Sequence, residues 1–284
     1  MTRYALDPAM PVLSRPDGVV QIGWDPRRAL LVRPPAGMSV ATLGDLLRVL
    51  HSGATHAQLK DVAEGVDATT IADLVTELVG AGVVTAVPRP RTRSASIRIH
   101  GRGPLSDLLA SALRCSGARI KTSSQPHAGV KPERTDLVVL SDSLGADPRM
   151  LRYLHEARTP HLPVRVRDGA GLVGPLVVPG VTSCLRCADL HRSDRDEGWP
   201  ALAAQLRDAV GNADRATMLG TAAVALNQVD RVIAAVRGGF DFSDVERAPH
   251  PPSTLDTTLE FDVATGSTTA RRWTRHPRCA LCSS

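Results

Sequence analysis

Apolar positions fall first in short alternations and then in helical stripes. Val19 to Trp24 and Ala29 to Val32 suit two short strands. Asp25-Pro26-Arg27-Arg28 makes the turn between them, because Pro26 presets φ. Ala41 to Leu50 carries Leu43, Leu46, Leu47 and Leu50 at helical spacing. Thr55 suits the N-cap of a second helix bearing Leu59, Val62 and Ala63. Asp67 or Thr69 starts a third, with Ile71, Leu74, Val75, Leu78 and Val79 on one face and Gly82 just past its end. Val83 to Val87 returns as a strand. Strands, three helices and a closing strand predict a small winged helix-turn-helix domain over residues 1–90.

Pro88 to Ser94, with two prolines and three arginines, reads as an exposed linker. Beyond it, over residues 91–284, strands alternate with helices. Ser96 to His100 is a strand, and Leu105, Leu108, Leu109, Ala112 and Leu113 mark a helix. Gly117 to Ile120 opens a second strand, and Thr135 to Asp142 is a third, apolar enough to be buried on both faces. Such βαβ order predicts an α/β domain with a parallel sheet. Pro163 to Val166 continues it; Asp168 to Gly171 turns, and Leu172 to Val178 runs back as a partner. Leu219, Ala222, Leu226, Val229, Ile233 and Val236 lie on one long helix nearly in heptad register, which fits either core or a homodimer seam. Leu255 to Val263 and Thr268 to Trp273 form a last strand pair about Thr265-Gly266. Cys115 lies on an apolar helical stripe and is expected in the core.

Composition narrows the picture. Hydrophobic residues make up 43% of the 284-residue chain, enough for two cores, but aromatics only 3%. A net charge of +5 permits an acidic or nucleic-acid partner without demanding one. No apolar run approaches the ~20 residues that span a bilayer. Met1 to Ser14 lacks the continuous apolar core of a signal peptide, so a cytoplasmic, reducing location is expected.

The strongest chemical signal is a pair of C-x-x-C motifs, Cys184/Cys187 and Cys279/Cys282, far apart in sequence. Four thiolates close a tetrahedral Zn²⁺ site with no position left for water, so the metal would be structural. Disulfides, a redox pair and idle thiols are the alternatives. A weaker signal is Gly101-x-Gly103 between the first strand and helix of the second domain, where a nucleotide phosphate would lie. Ser106 stands where a third glycine belongs, Pro104 removes a backbone N–H, and Lys121 to Ser124 offers no ribose carboxylate. These departures argue against ATP. In the first domain, the third helix presents Asp73, Thr76 and Glu77, and the second offers Asp61 and Glu64 beside Gln58 and Lys60. Acidic groups at these positions repel DNA phosphate.

The first domain, from Val12 to Val87, resembles the PqqD-like peptide-recognition domain. Gly174-Pro175 to Cys187, the His191 to Pro200 segment and His276 to Cys282 are similar to the ThiF/MoeB/HesA superfamily. More narrowly, they resemble the cyclodehydratase C protein of thiazole/oxazole-modified peptide pathways. The resemblance implies a winged helix-turn-helix joined to a Rossmann-like, zinc-bearing domain. It also implies a scaffold, not catalytic alone, that binds a precursor's leader peptide and brings it to an ATP-using YcaO-type partner. The leader would add as a strand beside the third helix, near Val20 and Ile22, with Asp73 and Glu77 on the exposed helix face selecting basic residues. Active ThiF-type enzymes adenylate a carboxylate through a glycine loop and acidic residues, to which Gly101, Gly103 and Asp142 would correspond. An ATP-dependent adenylating enzyme and a zinc-containing winged-helix DNA regulator are the competing functions.

Overall fold

The computed structural model describes residues 2–87, 93–124, 135–239 and 251–282. Most of the expected linker, residues 88–92, lies outside them. The chain divides into two compact units, Met1–Arg91 and Thr92–Ser284.

The first unit runs β1 (Arg3–Leu6), β2 (Val12–Ser14), β3 (Val20–Ile22), β4 (Leu30–Val32), α1 (Val40–His51), α2 (His56–Val62), α3 (Ala68–Gly80) and β5 (Val84–Val87). Side-chain oxygens set the three helix starts. Ser39 Oγ accepts from Thr42 N at 3.0 Å, Thr55 and Gln58 form a reciprocal capping box, and Asp67 accepts from Thr69 N at 3.0 Å. Leu43, Leu46, Leu47 and Leu50 of α1 meet Leu59, Ile71, Leu74 and Leu78 in one core. Val79, expected on that face, is instead 37% exposed. The pattern missed β1 and β2. They change the sheets: β2, β3 and β4 form one antiparallel sheet with β3 central, and β5 pairs with β1 rather than with the β3–β4 pair. Val20 and Ile22 are fully buried, and their side chains belong to the core of this unit. With β3 paired on both sides, a further strand could join this sheet only along β2 or β4.

The second unit contains β6 (Ser96–His100), α4 (Pro104–Leu113), β7 (Arg119–Ser123), β8 (Leu137–Ser141), α5 (Pro148–Glu156), β9 (His161–Arg167), β10 (Ala170–Val173), α6 (Leu185–Ser193), α7 (Trp199–Gln205), α8 (Arg215–Gly238), β11 (Thr257–Asp262) and β12 (Ser267–Arg272). Seven strands form one sheet in the order β12-β11-β10-β9-β8-β6-β7. The expected parallel sheet covers only β7, β6, β8 and β9; the rest is antiparallel. The switch comes at Asp168-Gly169, both at positive φ, a two-residue turn that can only fold β10 back on β9.

Helix α8 packs Met218, Ala222, Ala225, Val229, Val232, Ile233 and Val236 into the core of this unit. The core reading of its stripe therefore holds for Ala222, Val229, Ile233 and Val236, with Leu226 packed against that core, while Leu219 is half exposed. By length and composition α8 could cross a membrane, contrary to the sequence expectation, but half of its apolar window is buried against the unit's own core. Cys115 is exposed, not in the core. α4 ends at Leu113 with Arg114 as its C-cap, so Cys115 lies in the turn beyond the helix whose stripe it was read to join.

Candidate metal centre and glycine loop

Cys184 is the N-cap of α6 and Cys187 sits in its first turn, where the helix N-terminus favours thiolate. Cys279 and Cys282 come from the tail beyond β12, in a tight turn where Cys282 N donates to Cys279 O at 3.2 Å. The fold brings all four sulfurs within 4.8 Å of one another. Cys184 Sγ lies 3.7 Å from Cys187 Sγ and 3.5 Å from Cys279 Sγ, and Cys187 Sγ lies 3.6 Å from Cys282 Sγ. A tetrahedral ion with metal–sulfur bonds of about 2.3 Å has edges of about 3.8 Å. The cluster thus has the size and donor set to hold an ion such as zinc.

The closeness of the sulfurs sets their electrostatics. Burial pushes the Cys187 thiol up to about 11. A hydrogen bond with Cys282, then burial, pushes Cys184 up as well. Cys282 takes the opposite end of that bond and is held down to about 5. Sulfurs this close do not all ionise unless a cation balances them, and a divalent ion does so.

Around the sulfurs runs a shell the spacing did not reveal. His276 N donates to Cys187 Sγ at 3.3 Å. His276 Nδ1 accepts from Arg278 N at 3.1 Å, so in the neutral ring Nε2 carries the proton and donates to Asp194 at 2.8 Å. That bond, followed by the Arg278 charge, holds the Asp194 carboxyl below its usual range. His191, Asp194 and His276 are close enough to suggest a second metal site. The proton on His276 Nε2 and the Arg278 pairing of Asp194 make the group a structural brace instead. Arg275 ties the tail to Gly180 O and Val181 O at 2.5 and 2.9 Å, just before Cys184. Arg192 lies 5.1 Å from the Trp199 ring and 4.8 Å from the Trp273 ring, joining α6 to the end of β12. Asp194 and His276 stand 82 residues apart, so no local pattern could have paired them.

At the glycine loop the structure holds an arrangement the sequence did not disclose. Asp142 follows β8 at φ 71° and is 1% exposed. Its carboxylate accepts from Leu105 N at 2.9 Å and Ser106 N at 3.1 Å, and the Ser106 hydroxyl donates to it too. The side chain caps α4 at the place where a phosphate would be received. The glycines make room for it. A Cβ on Gly103 would stand 2.6 Å from Asp142 Oδ1, and one on Gly101 2.4 Å from Ser141 O. Gly101, Gly103 and Asp142 therefore meet at one site, with the carboxylate engaged by the loop's own N–H groups. Asp73 and Glu77 are exposed on α3, one turn apart, in the first unit.

No protein-family model matches this sequence, and no curated protein sequence matches it. Solved structures do. The chain shares its fold with the heterocyclase TruD. That match has a TM-score of 0.66 at 17% identity and covers 99% of this chain and 43% of TruD. A heterocyclase in complex with substrate and cofactor gives 0.67 at 16%, over 99% of this chain and 40% of that one. Escherichia coli MccB with ATP gives 0.58 at 12%, over 99% of both chains. The chain thus spans less than half the length of the heterocyclases it matches. These likenesses extend over nearly the whole chain, the mixed seven-stranded sheet included.

Proposed function

We propose that the chain is a leader-peptide-binding scaffold of a ribosomal-peptide modification system, stapled by a structural Zn²⁺ on Cys184, Cys187, Cys279 and Cys282. In this role the first unit acts as a PqqD-like winged helix-turn-helix, and a YcaO-like partner performs the ATP-dependent step. The fold shared with heterocyclases, which carry a longer stretch outside the matched part, supports the division of labour. Asp142 carries the non-catalytic half. An enzyme that adenylates needs the α4 N-terminus free for phosphate, and here a buried carboxylate with three donors holds it. The bound zinc supplies no reactive position, because four thiolates fill its tetrahedron. A leader strand would add along β2 or β4, the free edges of the three-stranded sheet.

The test is a titration of the full chain with basic-residue leader peptides encoded beside its gene and, separately, with duplex DNA. Saturable peptide binding is expected, weakened in the Asp73→Lys/Glu77→Lys double variant while the melting temperature holds. Salt-sensitive DNA binding without peptide binding would instead identify a regulator.

A further inference from the structure

The second unit has a cavity of about 680 Å³ at the carboxyl ends of β6, β8 and β9. Four separate elements send arginines to its wall. Arg102 comes from the loop after β6, Arg149 from α5, Arg165 from β9 and Arg207 from the turn after α7. Among the described residues, no carboxylate lies within ion-pair distance of any of the four. Arg165 is half-buried, and it donates to a neutral group, Leu144 O, at 2.7 Å. Burial, then the nearby Arg192, lowers its pKa to about 10, so it stays charged at neutral pH.

The acids on the same wall do not balance this charge locally. Asp142 is engaged by the α4 N-terminus, and Asp147 caps α5, accepting from Arg149 N at 2.8 Å. Both helix ends that open on the cavity therefore already hold an anion of the chain's own. Any ligand must be read by side chains. Converging guanidiniums with no paired carboxylate among the described residues raise the local positive potential, which an oxyanion relieves through charge-assisted, often bidentate hydrogen bonds. Leu140, Met150 and Pro163 give the cavity an apolar floor, and its volume suits a small molecule.

We propose that this cavity is a binding site for a small ligand bearing carboxylate or phosphate groups, gripped by the side chains of Arg102, Arg149, Arg165 and Arg207 and not by the backbone N–H groups of the glycine loop. The site lies wholly within the second unit and stands whether or not the first unit binds a leader peptide.

Calorimetric titration of the full, zinc-loaded chain tests it, with citrate, inorganic phosphate, tripolyphosphate and ATP as probes. The variants are Arg149→Gln, Arg207→Gln and Arg165→Gln, with Arg28→Gln of the first unit as control. Citrate and phosphate should bind saturably. Each exposed-arginine variant should weaken citrate about ten-fold, as expected for losing one charge-assisted contact, and Arg28→Gln should leave it unchanged. ATP should bind no tighter than tripolyphosphate, because nothing in the proposed grip reads adenosine. If Arg165→Gln fails to fold, the two exposed variants still decide. The proposal is overturned if neither citrate nor phosphate saturates, or if the arginine variants bind as the wild type does. ATP binding far tighter than tripolyphosphate would also overturn it and mark a nucleotide site.

Discussion

At the scale of the residue, two buried titratable groups show how burial assigns a role. Asp142 is ionisable and nearly inaccessible, yet it sits among three donors, so its charge closes α4 instead of meeting solvent. His161 is the reverse case. It is 2% exposed, its Nδ1–H donates to Thr159 O at 3.1 Å, and burial holds its pKa down to about 4 from 6.5. In the unfolded chain this ring takes a proton below about 6.5; in the folded chain it does not until about 4. Between those values the unfolded state binds more protons, so stability is full above pH 6.5 and falls as pH drops through the window. The contribution is about 3 kcal/mol. Urea unfolding from pH 7 to 4 should show this slope, and His161→Leu should flatten it. An equal slope in the variant would place the acid sensitivity elsewhere.

At the scale of the element, the tail after β12 is the informative case. His276 to Cys282 has neither helix nor strand to hold it. What fixes it is a set of links to α6 and the loop before it: the sulfur cluster, His276 with Asp194, and Arg275 with Gly180 and Val181. A metal here contributes directly to folding free energy, because the unfolded chain has no preformed site. Cys279→Ser should therefore lower zinc content from one per chain to near none by elemental analysis. The second unit's melting temperature should fall by about 10 °C. Full zinc retention in this variant would mean that the cluster is not the ligand set.

At the scale of the whole molecule, the two units have separate cores, one built on α1, α2 and α3 and the other on α4, α8 and the seven-stranded sheet. The cysteine cluster lies in the second. Scanning calorimetry should resolve two transitions. Chelation at neutral pH should lower one of them and leave the other in place, since the first unit has no share in the metal site. A single transition that shifts as a whole would show the two units unfolding as one.

Local patterns in the chain determined much of this unaided. Apolar spacing marked the three helices of the first unit, because each buries one face, and Thr55 and Asp67 marked two of their starts, because their side chains supply the missing acceptor. The C-x-x-C spacing marked the four sulfurs, because a tight turn is all that each pair needs. The tertiary structure alone decided the rest. Strand pairing put Val20 and Ile22 on an inner face of a central strand, since the short β1 and β2 carry too little alternation to be seen. Contact between residues 36 or more apart put Asp142 on the α4 N-terminus and explained Gly101 and Gly103 as clearance for it. The four arginines of the cavity come from four elements with no shared periodicity, so only the packing of β6, α5, β9 and the turn after α7 could gather their charge.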